Sequence, residues 1–241
     1  MNVFSGHTGA VTTGSFTPDG KKLVSACEDG SLIVWDPRSP SPVAKLQSSD
    51  ARFNLRGGIT KLRISPDSKT VLVGGGNGDL RIVSIAKVDD EGAISVVATL
   101  DGHTKGESVE AIEFIDLFGV LGNPASNAQA APPSKPVTTI FTGATDGKGI
   151  VWDISTGKMR NAISHEAAIT NVVVHPGTTL FSTSSADHTI KTWDARTGAC
   201  VATNTGFTDG VLALAAGKDD GYTQGAETGG VGAYTQPGGG R

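Results

Sequence analysis

Three sets of histidine, hydroxyl, carboxylate and tryptophan recur along this chain. They are His7, Ser25, Asp29 and Trp35; His103, Thr142, Asp146 and Trp152; and His165, Ser182, Asp187 and Trp193. A histidine between a hydroxyl and a carboxylate is the constellation of acyl-transfer hydrolases, in which the imidazole takes the nucleophile's proton and the acid orients the ring. Repetition argues against that use. A nucleophile needs one exposed site with an oxyanion hole, whereas equivalent sets at one spacing suit networks that satisfy buried polar groups. The expectation is three structural networks and no catalytic residue. No His-Glu-x-x-His, Cys-x-x-Cys or Walker lysine motif is present, and His165-Glu166 lacks a second histidine at the required spacing. The glycines of 74–78 occupy a turn with no strand-to-helix transition after it, so a phosphate cradle is not expected there. Neither a cofactor nor a metal is expected.

The elements that would position these sets are hairpins. Residues 23–36, LVSACEDGSLIVWD, read as an apolar run, an acid-glycine turn and a second apolar run. The pattern returns as FTGATDGKGIVWD at 141–153 and FSTSSADHTIKTWD at 181–194, and without its aromatic as LVGGGNGDLRIVS at 72–84. A unit that recurs at about forty residues says that the chain stacks modules. Thr17-Pro18-Asp19 and Ser65-Pro66-Asp67 mark the preceding turn in the first two units, where the fixed φ of proline suits the first central position. About five units are recognisable within 1–235. Met1 to Phe4 could add a lone outer strand, and Tyr222 to Thr235 reads as a weak last hairpin. Residues 119–136, rich in Asn, Ala, Ser and Pro, read as a flexible insertion within the third unit, and 236–241 as a glycine-rich tail.

Composition narrows the function classes. The 33 glycines fit many turns and few long helices. A net charge of -4 argues against a generic nucleic-acid binder. Two cysteines make no disulfide framework, and no apolar run reaches membrane-spanning length. The start, MNVFSGHTGAV, lacks the basic and apolar regions of a signal peptide. The expectation is an intracellular protein with no direct nucleic-acid or membrane contact.

Surface acids are the candidate binding residues. The hairpin turns and the connections between units open on one face, and they carry Glu28, Glu107, Glu110, Glu166 and Asp209, whereas Lys21, Lys22, Lys69 and Lys158 fall on the opposite side. A negative mouth attracts a basic peptide by steering and by desolvated pairs. The competing reading is that acids suit turns and solubility.

The hairpin with its closing Trp-Asp resembles the WD40 repeat of β-propellers, over roughly residues 5–217. Within that family GHTGAVTTGSFTPDGKKLVSACEDGSLIVWD, SSDARFNL, GHTKGESVEAIEF and SSADHTIKTWDARTGA are similar to fungal ribosome-assembly WD40 chaperones and their angio-associated migratory cell protein relatives. The resemblance implies an all-β propeller, and the units read here make either a ring of about five blades or an incomplete part of a larger ring of seven or eight. It further implies a non-enzymatic, cytoplasmic escort whose acidic face holds the basic N-terminal segment of a new large-subunit ribosomal protein. Glu28, Glu107, Glu110 and Glu166 would be the contacts. The alternative is a WD40 scaffold or adaptor subunit in trafficking or signalling.

Overall fold

The computed structural model describes residues 3–55, 57–117, 137–216 and 231–235. The first sheet comprises β1 (Val11–Phe16), β2 (Leu23–Cys27), β3 (Leu32–Trp35) and β4 (Pro42–Leu46); the second β5 (Ile59–Ile64), β6 (Thr70–Gly75), β7 (Leu80–Ser84) and β8 (Ser95–Leu100). The third holds β9 (Val109–Ile115), β10 (Thr139–Ala144), β11 (Lys148–Asp153) and β12 (Lys158–Ser164), and the fourth β13 (Ile169–Val174), β14 (Leu180–Ser185), β15 (Ile190–Asp194) and β16 (Cys200–Asn204). A two-stranded sheet pairs β17 (Val211–Ala216) with β18 (Val231–Thr235), and the short helix α1 (Val88–Glu91) lies between β7 and β8. Among the described residues the molecule is therefore all-β, with four four-stranded antiparallel sheets and one two-stranded sheet.

Each four-stranded sheet keeps its strands in chain order, because short turns allow only neighbouring antiparallel pairing. The Thr-Pro-Asp and Ser-Pro-Asp turns work as their chemistry predicts. The Thr17 hydroxyl donates to Asp19 at 2.6 Å and the Ser65 hydroxyl to Asp67 at 2.5 Å. Central strands are buried on both faces, so alternate side chains enter different cores. Val24, Ala26 and Val34 of the first sheet pack with Val71, Val73 and Val83 of the second. Leu72, Leu80 and Ile82, on the other face of the second sheet, pack with Ile112, Ile140 and Trp152 of the third. Phe141 and Val151 then meet Phe181 and Trp193 of the fourth sheet.

Inner strands carry the contact from sheet to sheet, β1 against β5, β5 against β9, β9 against β13 and β13 against β17. A threonine ties three of these four junctions. The Thr12 hydroxyl donates to the Ile59 carbonyl at 2.6 Å, Thr60 to Val109 at 2.6 Å and Thr170 to Val211 at 2.5 Å. Glu110 holds the equivalent position on β9, which leaves a carboxylate where the other sheets place a bonded hydroxyl.

One expectation is corrected. Val3 and Phe4 form no strand; the Phe4 ring packs instead on Trp35 at 5.4 Å between centroids, covering a face that needs apolar contact more than backbone pairing. β18 pairs with β17, Val211 opposite Thr235, and the first half of the hairpin expected at 222–235 lies outside the described residues. The insertion at 119–136, the tail at 236–241 and residues 217–230 lie outside the described residues. Among the described residues no helix is long and apolar enough to cross a membrane.

Candidate functional site

The recurring sets are hydrogen-bond relays that tie each hairpin to the segment before its inner strand. In the first, the Trp35 indole N–H donates to Ser25 Oγ at 2.8 Å. The Ser25 hydroxyl is then free to donate to His7 Nε2, 2.7 Å away, which puts the imidazole proton on Nδ1, facing Ser31 Oγ at 2.7 Å. Asp29 instead accepts from the backbone and hydroxyl of Thr8, at 3.1 and 2.5 Å. In the third sheet Trp152 donates to Thr142 at 2.8 Å and His103 Nε2 lies 2.8 Å from the same oxygen. His103 Nδ1 stands 3.6 Å from Asp146, beyond hydrogen-bond distance, and is unpartnered. Asp146 accepts the Thr104 N–H at 2.9 Å.

The fourth-sheet set corrects one residue. His165 Nε2 and the Trp193 N–H both meet Thr183 Oγ1, each at 2.8 Å, and His165 Nδ1 meets Asp187 at 2.8 Å. Ser182 is not in this relay: it bonds His175 and Thr192 on the opposite face, each at 2.8 Å. Strand parity is the reason, since neighbouring residues point to opposite faces. The signal was present in the sequence. Ser25 and Trp35, like Thr142 and Trp152, are separated by 10 positions, and so are Thr183 and Trp193. With its hydroxyl already accepting an indole proton and donating to imidazole, none of the three is available as a nucleophile.

Burial sets the protonation of these relays. It lowers the pKa of His165 and of His103 below the ordinary 6.5, although Asp187 and Asp146 pull the other way. For Asp187 burial alone would raise the carboxyl, but hydrogen bonds from Thr189 and His165 outweigh it and hold it at about 2. Both effects destabilise the fold in acid. Below 6.5 the unfolded histidines take protons that the folded ones refuse, and between 3.8 and about 2 the unfolded aspartate does the same. Stability is therefore expected to fall in two steps on acidification. Denaturant midpoints from about pH 8 to 3 check this, and a midpoint that rose on passing below neutrality would contradict it.

The candidate acids share the end of the sheets where hairpin turns and inter-sheet connections meet, as antiparallel order requires. Glu28, Glu166 and Asp209 are exposed, and Glu107 and Glu110 are half-buried. Each but Glu166 has one neutral donor on its carboxylate. Glu28 accepts the Ala10 N–H at 3.1 Å, Glu107 the Thr145 hydroxyl at 2.7 Å, Glu110 the Ser108 hydroxyl at 2.6 Å and Asp209 the Gly210 N–H at 2.9 Å. Among the described residues no cationic side chain comes within 4.0 Å of any of the five.

The division of charge between two faces is incomplete. Lys105 at this same end bridges Asp79 at 2.7 Å and Asp101 at 3.3 Å. Lys45, Lys148 and Lys191 donate to Gly6, Thr104 and Ser164 nearby. At the opposite end Lys22 is buried and paired with Asp89 at 2.6 Å, so it adds little free positive charge. The five unpaired carboxylates stand among neutralised pairs, which the sequence pattern did not resolve.

The WD domain, G-beta repeat family matches residues 1–36 and 158–194. These spans hold the first hairpin and the fourth sheet's two central strands. The chain therefore carries WD40 repeats in these two spans. Its fold is close to that of Chaetomium thermophilum Sqt1 bound to the N-terminus of the ribosomal protein L10, with a TM-score of 0.70 and 25% identity, over 88% of this chain and 54% of that one. An uncharacterized WD repeat-containing protein of Schizosaccharomyces pombe is 28% identical over 226 residues, 91% of this chain and 50% of that protein. The human angio-associated migratory cell protein is 26% identical over 220 residues, 90% of this chain and 46% of that protein. The WD40 chain spans about half the length of the curated relatives it matches.

Proposed function

We propose that this WD40 chain is a cytoplasmic escort for a newly made, basic large-subunit ribosomal protein. It holds the client's positively charged N-terminal segment on the face that carries Glu28, Glu107, Glu110, Glu166 and Asp209. The observation that carries the reading is the unpaired state of these five carboxylates on a fold shared with a solved structure bound to a ribosomal protein's N-terminus. A carboxylate without a neighbouring cation keeps its field for a ligand, and half-burial of Glu107 and Glu110 reduces screening by solvent. A basic segment so neutralised is kept from other polyanions until delivery.

Calorimetric titration with the basic N-terminal peptide of ribosomal protein L10 tests the proposal. Binding that weakens steeply with salt is expected, and Glu110→Lys should lower affinity by about tenfold or more while leaving the melting profile intact. Unchanged affinity in that variant would remove Glu110 from the surface, and absence of binding by folded protein would reject the escort reading. A scaffold role is the second reading, favoured by 27% identity over 203 residues to the tobacco guanine nucleotide-binding protein subunit beta-2. Co-purification with a basic ribosomal protein separates the two.

A further inference from the structure

Cys27 lies against the first hydrogen-bond relay. It is fully buried, two residues before Asp29, and its Sγ accepts the Asp29 N–H at 3.4 Å. The fourth sheet gives this place to Ser185, whose Oγ accepts the Asp187 N–H at 3.0 Å, and the third sheet gives it to Ala144. Of the three relays, the first alone has a thiol here. One ligand atom each from His7, Cys27 and Asp29 lies within 4.8 Å of the other two. Gly9, in the segment before β1, faces the thiol, and a Cβ on it would stand 3.3 Å from Sγ. Sulfur, nitrogen and carboxylate oxygen in one partly buried cluster are a donor set for Zn2+, since a thiolate disfavours Mg2+ and Ca2+.

The existing hydrogen bonds leave each group a bond for a metal. A carboxylate offers about four acceptor sites. Asp29 uses three, for the N–H and hydroxyl of Thr8 on Oδ2 and the Ser31 N–H on Oδ1 at 2.8 Å. His7 Nδ1 bonds the Ser31 hydroxyl at 2.7 Å and not a carboxylate, unlike His165 Nδ1, which bonds Asp187. Binding a cation therefore costs His7 only that neutral contact. The Nδ1 proton moves to Nε2, 2.7 Å from Ser25 Oγ, whose two lone pairs accept both the imidazole and the Trp35 N–H. Metal-bound histidines are oriented by an outer partner of this kind. The Cys27 proton passes to solvent, and thiolate and carboxylate together balance the charge of the cation. Bonds of about 2.0–2.3 Å put tetrahedral ligands about 3.5 Å apart, so each ligand atom has to move by less than about 1 Å. We propose that His7 Nδ1, Cys27 Sγ and an Asp29 oxygen form a Zn2+ site, with water in the fourth position, that fastens the segment before β1 to the first hairpin. The site does not depend on the escort reading.

The test titrates the full, reduced, metal-free chain with Co2+ and follows the near-ultraviolet thiolate-to-cobalt charge-transfer band. A saturable band is expected, bleached by about one equivalent of Zn2+. Cys27→Ser installs the residue that the fourth sheet already uses, so the variant should fold. Its loss of Zn2+ affinity should exceed the about 10–100-fold typical of removing an outer partner. Cys200 is exposed and far along the chain, and Cys200→Ser should leave the band unchanged. Zn2+ should also raise the melting temperature of the wild type and not that of Cys27→Ser. A folded wild type without the band, a band that survives Cys27→Ser, or one lost in Cys200→Ser would each overturn the site.

Discussion

Alanine in place of Trp152 is expected to lower the stability of this chain by about 3–5 kcal/mol, the range for emptying a buried aromatic site. Trp152 is only 2% exposed and belongs to the core shared by the second and third sheets, so the void would loosen two sheets at once. Its indole also packs against Gly102, where a Cβ would come within 2.7 Å of the ring. The polar consequences add to the cavity. Thr142 would lose its 2.8 Å donor, and the relay would then rest on His103, whose Nδ1 already lacks a partner. Chemical denaturation of the wild type and Trp152→Ala measures the loss. A change below about 1 kcal/mol would mean that the indole is not a joint between the sheets.

Gly58→Ala is expected to cost about 3 kcal/mol, and Gly20→Ala only about 1 kcal/mol, although both residues need the left-handed backbone. Their φ angles are 78° and 71°. Space separates them. A Cβ on Gly58 would stand 2.5 Å from the Glu28 carbonyl oxygen, whereas one on Gly20 meets nothing within 4 Å. The strain term is common to the two variants, so the difference isolates the collision with the first hairpin. That hairpin also presents Glu28 and Asp29, and Gly58→Ala should therefore weaken binding of a basic peptide even where the protein is still folded. Equal melting temperatures for the two variants would show that the connection and the hairpin can move apart freely.

The sequence by itself determined the repeating unit and the hairpins that build it. Acid-glycine turns between apolar runs dictate hairpins, and a hairpin repeated at about forty residues cannot cover its own two faces and must stack. The same repetition was enough to turn three tempting triads into structural relays. Choice of face was harder. Ser182 and Thr183 are chemically alike and adjacent, so only the pairing of β14 with β15, or close use of the Ser25-Trp35 spacing, tells which hydroxyl joins His165. Charge was harder still, because a residue's sign is local whereas its pairing is not. Lys22 and Lys105 are visible in the sequence as cations, but their neutralisation by Asp89 and Asp79 depends on segments brought together by folding. Conversely, Glu110 gains its meaning only when β9 sets it in line with Thr12, Thr60 and Thr170. Arg81 reads as an ordinary surface arginine within an alternating strand. The tertiary structure buries it because the 51–54 connection folds over its guanidinium and supplies carbonyls, contacts across the chain that no local pattern encodes.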